Sequence, residues 1–440
     1  MSDTAIVWYR NDLRLHDHPA LTAALENHKK VIPVYCLDDH FLGTTPYRFP
    51  KTGAFRMSFL LESLECLQQS IHEKGGTFII KTGQTAKVIR ELINRYHATA
   101  IYCQQEDTPE EMAIQNEVAQ SGLPVYAYPS FTLLHTDDLP FDLSSLPEVF
   151  TNFRKKVEKF SSIRPPLPAS EIIPVPDNLP VTGVPTLDEL GYPETKYVRA
   201  PFKGGEKEGL QRLHYYLWES DLAKTYKNTR NQLLGTDYSS KFSLWLAMGC
   251  LSPRLVYSEI KKYEVQRTKN ISTYWLIFEL LWRDFFRLMA MKREGGFFHY
   301  PMNKQMAPAD PEKISMWIEG RTGDPFVDAN MLEIRHTGYM SNRGRQNVAS
   351  YLWHDLGQPW QAGAEYFESM LVDYDVCSNY GNWSYITGPG NDPRKGRKFN
   401  TRFQAKKYDR KGNYIRHWLP ELSSTNIDSL FSEHLKNTSW

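Results

Sequence analysis

The chain has 440 residues, 41% hydrophobic and 23% charged, the composition of an ordinary globular protein of roughly two or three domains. No apolar run approaches the roughly 18 residues a membrane helix needs, and the N-terminus MSDTAIVWYRND lacks the apolar core of a signal peptide. Five cysteines (Cys36, Cys66, Cys103, Cys250, Cys377) fall without pairing or metal spacing, so an intracellular, cytoplasmic, reduced protein is expected.

The first 130 residues alternate short apolar runs with helical patterns. Runs rich in Val, Ile and Tyr predict strands at Ala5–Tyr9, Val31–Leu37, Phe78–Lys81, Ala100–Cys103 and Val125–Tyr128. Helical spacing predicts helices over Pro19–Asn27, Gly53–Glu73, Thr85–Tyr96 and Pro109–Ser121. In the second of these, Phe55, Phe59, Leu60, Leu64, Leu67 and Ile71 share a face. Such alternation predicts an α/β domain over 1–132, built on a doubly wound parallel sheet. Neither G-x-G-x-x-G nor a Walker A motif is present, so standard dinucleotide or triphosphate chemistry is not indicated. Residues 133–206 read as an inter-domain connector, proline-rich from Arg164 onward. Residues 207–422 read as an all-α domain, and 423–440 as a polar tail.

Charge divides along the same line. The net charge of +1 is the sum of 12 basic and 19 acidic residues in 1–150 with 40 basic and 32 acidic residues in 151–440. A basic second half points to a polyanion, although segregation of solvated charge is the plainer alternative. The stretch 394–416 favours the polyanion, with ten basic residues against Asp409 alone and with Phe399, Phe403, Tyr408 and Tyr414 interleaved. Cations for phosphates and rings for bases suit a polynucleotide.

Four segments carry candidate chemistry. In YWLIFELLWRDFFRLMAMK from Tyr274, Glu279, Trp282, Arg283 and Phe286 share one helix face, and a surface Glu279–Arg283 pair is the simpler reading. In TDYSSKFSLWLAMGCLSPR from Thr236, Ser239, Ser240 and Ser243 precede a helical run, offering either a phosphate site or ordinary capping. In MSNRGRQNVASYLWHDL, Asn342, Arg343 and Arg345 open a helix. In MLVDYDVCSNYGNWSY, Asp373, Asp375 and Asn379 precede Trp383 and Tyr385. The Asp-x-Asp spacing lacks the clustered oxygens a hard cation wants, and those carboxylates can equally pair with arginines.

Together, in this order, the segments resemble the photolyase/cryptochrome flavoprotein family, and most nearly its cryptochrome-DASH branch on HTGYMSNRGRQNVASYL and DYDVCSNYGNWSYITGPGNDPRKGRKFN. The resemblance runs from VWYRNDLRLHDHPAL to YDRKGNYIRHWLPEL. It implies a Rossmann-like antenna domain and a helical domain holding FAD. It implies FAD contacts from Tyr226, Ser239, Ser240, Phe242, Ser243, Glu279, Arg283, Asn342, Arg345, Asp373, Asp375 and Asn379, with Arg345 facing Asp373. It implies blue or near-UV light-driven repair of cyclobutane pyrimidine dimers by electron transfer from reduced flavin, a carbon–carbon lyase reaction. The dimer would leave the stack, meet Glu279 and Trp282, and lie near Asn342, Gln346 and Tyr385. A protonated Glu279 would stabilise charge on the dimer carbonyls.

Three positions depart from the double-strand-active photolyases. Tyr385 stands in place of Trp and Gln346 in place of Met, which makes the pocket more polar and favours single-stranded DNA. Trp383 and Trp360 match the first two members of an electron-transfer chain, but the third falls on Ala307, with Trp317 or Trp353 as stand-ins. The resemblance also implies an antenna site for 5,10-methenyltetrahydrofolate at Glu106, with Cys36 at a neighbouring strand end, and Arg343, Arg397, Lys398 and Arg402 are expected to form a DNA-binding surface. The expected partners are UV-damaged DNA, mainly single-stranded, and RNA by the same chemistry, bound by a monomer. The alternative function is a flavin photoreceptor that binds nucleic acid and regulates expression.

Overall fold

The computed structural model describes residues 3–192, 201–294, 308–394, 396–424 and 429–432. Strands Thr4–Tyr9 (β1), Lys30–Leu37 (β2), Ile79–Thr82 (β3), Ala100–Gln104 (β4) and Val125–Tyr128 (β5) form one parallel sheet in the order β3-β2-β1-β4-β5. Helices Pro19–Asn27 (α1), Ala54–Glu73 (α2), Thr85–Tyr96 (α3) and Pro109–Ala119 (α4) connect and cover it. Ala5, Val7 and Tyr9 of β1 enter one core with α1 and α2, while Ile6 and Trp8 enter another with α3 and α4. Both faces of the sheet are therefore buried, which is why its strands read as unbroken apolar runs. The chain reverses its winding between β1 and β4, and ligands of such sheets collect at the carboxyl ends of the strands flanking that point.

The stretch 133–206 is more than a connector. Helix Phe150–Phe160 (α5) buries Phe150, Phe153 and Val157, and Ile173 is fully buried in the sheet-side core. The extended reading applies to the proline-rich part after residue 160. The helical half comprises Glu206–His214 (α6), Tyr226–Thr229 (α7), Ser243–Ala247 (α8), Pro253–Gln266 (α9), Ile271–Lys292 (α10), Pro311–Ile318 (α11), Pro325–Thr337 (α12), Asn342–His354 (α13), Trp360–Met370 (α14), Val376–Thr387 (α15), Thr401–Tyr408 (α16) and Asn413–Trp418 (α17). The longest, α10, starts from a capping box between Asn270 and Thr273. Among the described residues, no helix is long and apolar enough to cross a membrane.

Buried charges join the halves. Asp17, fully buried, accepts both Arg254 Nη2 (2.6 Å) and Arg254 Nε (2.9 Å), together with the Ser252 hydroxyl. Glu206 accepts the Leu15 and His16 amides at 2.9 and 3.1 Å. Asp284 on α10 accepts the Leu133 and Leu134 amides at 2.9 and 2.8 Å, and burial pushes its carboxyl up to about 7. Gly249 has a φ of +67°, and a Cβ there would lie 1.9 Å from the Asn11 carbonyl oxygen, so the halves touch backbone to backbone.

Burial acts to raise the Asp17 carboxyl, but Arg14 and Arg254 outweigh it and hold it below its ordinary value. Asp17→Asn is therefore expected to cost about 3–5 kcal/mol of stability at pH 7, as when one partner of a buried pair is removed. A depressed carboxyl contributes fully above its unfolded value of about 3.9 and loses that contribution as pH falls through the folded value. Urea titrations of the two proteins should show a gap that is full at neutral pH and closes in acid. A gap independent of pH would contradict the ion-pair account.

Candidate functional site

A cavity of about 480 Å³ opens in the helical half, walled by α8, α10, α13 and α15. Every residue expected to contact FAD lines it: Tyr226, Ser239, Ser240, Phe242, Ser243, Glu279, Arg283, Asn342, Arg345, Asp373, Asp375 and Asn379. Arg345 Nη2 lies 2.8 and 2.9 Å from the two Asp373 oxygens, the pairing expected from the sequence. Ser243, first residue of α8, donates its hydroxyl to Asp373 at 2.8 Å. Asp375 caps α15 by accepting the Ser378 amide at 2.7 Å. Burial opposes its ionisation, yet Arg287 and Arg283 hold it low. The Asn379 side-chain nitrogen donates to Ala364 O at 2.9 Å, which leaves the amide oxygen available to a ligand.

Lys241 was not singled out in the sequence, although it stands inside the serine run. Its backbone is left-handed (φ 62°), and its side chain is buried between the rings of Tyr238 and Tyr339, at 3.5 and 4.2 Å. Among the described residues it forms no ion pair. Burial pulls its ammonium down to about 7, more than Glu333 restores.

The surface Glu279–Arg283 pair does not form. Glu279 pairs with Arg230 of the segment after α7, while Arg283 turns inward, donating to Phe131 O and to Leu246 O (3.1 Å). The two side chains share a helix face, but buried carbonyls claim the arginine. Its guanidinium lies 4.0 Å over the Phe131 ring.

Trp282 stacks on Phe150 at 3.7 Å and 10°, and meets Tyr385 edge-on at 5.5 Å and 77°. Gln346 and Tyr385 are each tied to an arginine: Gln346 Oε1 accepts Arg343 at 2.8 Å, and the Tyr385 hydroxyl accepts Arg397 at 2.5 Å. Of the expected DNA-facing cations, Arg397 lines the cavity and Arg343 adjoins it through Gln346. Lys398 pairs with Asp355 at 2.7 Å, and Arg402 is exposed on α16; neither lines the cavity.

Trp383 lines the cavity, and Trp360 is buried in the same hydrophobic cluster, with its ring edge-on to Tyr380 at 6.2 Å. Trp317 is 0% exposed and meets Trp383 edge-on at 6.2 Å. Trp353 is exposed on α13. Ala307 lies outside the described residues.

A smaller cavity, about 140 Å³, lies between the halves at the carboxyl ends of β1 and β4, and Glu106 and Cys36 both line it. Glu106 is buried, accepting Asn11 Nδ2 at 3.1 Å and Arg287 at 3.2 Å. Burial pushes the Cys36 thiol up to about 12, so it is a wall rather than a nucleophile.

Residues 5–173 match the DNA photolyase family model, and residues 275–439 match the model for the FAD binding domain of DNA photolyase. A protein named Cryptochrome DASH from Gloeobacter violaceus is 47% identical over 430 residues, spanning 96% of this chain and 86% of its own. The crystal structure of a Synechocystis sp. cryptochrome superimposes with a TM-score of 0.93 at 45% identity, over 98% of this chain and 91% of that one. An archaeal photolyase from Sulfolobus tokodaii, crystallised with two FAD molecules and described as implying a novel light-harvesting cofactor, gives 0.79 at 29% identity over 98% and 93%. With its sheet, its helical cavity and its full-length relatives in agreement, the chain belongs to the photolyase/cryptochrome family, in the cryptochrome-DASH branch.

Proposed function

We propose that the protein is a light-driven, FAD-dependent photolyase that splits cyclobutane pyrimidine dimers, acting on single-stranded DNA in preference to duplex. One observation carries this reading: Glu279, Trp282, Asn342, Gln346 and Tyr385 line the same cavity as the residues suited to hold FAD. The fit to FAD rests on Lys241, a buried ammonium beside the Ser239 and Ser240 segment, without an ion pair among the described residues. A diphosphate supplies the missing anion. When bound, FAD supplies the light-excited electron that opens the cyclobutane ring, and recovers it afterwards.

The chain's own groups set the rest. Trp282 offers an aromatic wall, already aligned by Phe150. Glu279 faces the lesion carbonyls, and to donate a hydrogen bond it must leave Arg230 and take up a proton. Arg230, once released, is free to meet a phosphate. Flipping a pyrimidine pair out of duplex costs a few kcal/mol, roughly, and a wall made polar by Tyr385 and Gln346 repays less of it. Single strands avoid that cost. In the smaller cavity, we assign Glu106 as acceptor for the pterin donors of 5,10-methenyltetrahydrofolate, an antenna at the switch point of the sheet.

The repair reading is tested by reducing the protein, adding a dimer-containing oligothymidine and illuminating in the blue to near-UV. Recovery of thymine absorbance is expected, with a lower yield per photon in Glu279→Gln. No recovery would turn the assignment toward a photoreceptor.

The single-strand preference is expected to narrow in a Tyr385→Trp, Gln346→Met double variant when dimer repair in single- and double-stranded oligonucleotides is compared. An unchanged ratio would exclude the pocket wall as its origin.

FAD affinity should fall as pH rises above about 7, because the free Lys241 ammonium is lost there and binding must restore its proton. Equilibrium dialysis of FAD against pH measures this, and the slope should flatten in Lys241→Met.

A further inference from the structure

The two cavities share a wall: Ala247, Tyr374 and Asp375 line both. Arg287 of α10, 3% exposed, lines the smaller cavity beside that wall but not the larger one. Its Nη1 lies 3.2 Å from Glu106 and 3.5 Å from Asp107, and its Nη2 lies 3.5 Å from Asp375. The guanidinium sits 3.7 Å over the Phe131 ring, and its buried Nε–H has no hydrogen-bond partner among the described residues. One cation thus serves three carboxylates, two following β4 and one, Asp375, at the start of α15, where Arg283 also acts on it. Arg287 therefore divides one charge among them.

The carboxylates at the two ends of this bridge have distinct second tasks. The other Glu106 oxygen accepts Asn11 from the β1 side of the smaller cavity. The other Asp375 oxygen caps α15, the helix that brings Asn379, Trp383 and Tyr385 to the larger cavity. A change in how Arg287 divides itself is therefore felt at both cavities.

We infer that Arg287 is a positioning residue that couples the two cavities. A ligand donating hydrogen bonds to Glu106 disperses that carboxylate's charge and relaxes its hold on Arg287. The guanidinium then bonds Asp375 more fully, fixes the start of α15 and makes the larger cavity less negative. FAD, which carries a diphosphate, binds more tightly as a result. By linkage, FAD tightens the ligand of the smaller cavity by the same factor. The identity of that ligand rests on the antenna assignment above, but the charge-sharing at Arg287 does not.

The test measures FAD affinity of flavin-stripped, full-length protein with and without saturating 5,10-methenyltetrahydrofolate. Tightening of about fivefold or more is expected, with the reciprocal effect when folate is titrated into the FAD-loaded protein. Glu106→Gln, measured without folate, should tighten FAD in the same direction, although Glu106 does not line the larger cavity. Arg287→Lys, if it retains the wild-type near-UV circular dichroism, should reduce the factor toward one. If folate binds and FAD affinity does not change, the coupling is overturned and the antenna assignment stands. If folate does not bind, the antenna assignment falls and Glu106→Gln decides the coupling alone, an unchanged FAD affinity overturning it. If Arg287→Lys does not fold, the wild-type and Glu106→Gln measurements still decide.

Discussion

The structure depends on burying charge between its halves without leaving that charge unpaired. Removing an ion from water costs several kcal/mol, roughly, and only close geometry with further hydrogen bonds recovers it. Asp17 meets this demand with Arg254, Ser252 and the Leu167 amide, and Glu206 with two backbone amides and His16. Asp284 meets it differently, accepting two amides while burial lifts its carboxyl toward neutrality. Each of these acids reaches across from one half to the other, and the smaller cavity lies in the seam they close. A loose seam would let water into both cavities and weaken every electrostatic interaction inside them.

The same economy governs the larger cavity. Its arginines are already committed: Arg345 to Asp373, Arg230 to Glu279, Arg397 to Asp392 and Tyr385. Lys241 is the exception, held by rings rather than by a carboxylate. Cation–π contact is weaker than an ion pair for a desolvated ammonium, and this explains why its proton is held so loosely. Among the described residues, the cavity thus combines satisfied arginines with one lysine that has no carboxylate partner, an arrangement suited to an anion.

Much of this was legible in the sequence. The sheet was readable because burial on both faces makes parallel strands uniformly apolar, and all five predicted strands lie within one residue of those observed, β3 being shifted by one residue past Phe78. The cavity residues could be assembled from scattered motifs because the resemblance fixed their order. Partners were not legible. Glu279 and Arg283 share a helix face at ideal spacing, yet each is taken by a tertiary partner, Arg230 and the Phe131 carbonyl. Helix α5 was hidden in a connector because its apolar positions, Phe150, Phe153 and Val157, are too few to stand out beside a proline-rich stretch. Lys241 and Arg287 were passed over because a basic residue in a basic half carries no local signal of burial.

The missing side chain at Gly249 reaches further than its own turn. Because the helical half has no Cβ there, the Asn11 carbonyl settles directly against its backbone, and the Asn11 side chain is then placed to hold Glu106. A glycine in one half thus determines the floor of a cavity whose acid belongs to the other. The halves are not interchangeable modules: a chimaera joining this sheet to the helical half of a relative with a larger residue at that position would keep both sets of motifs and lose the seat between them.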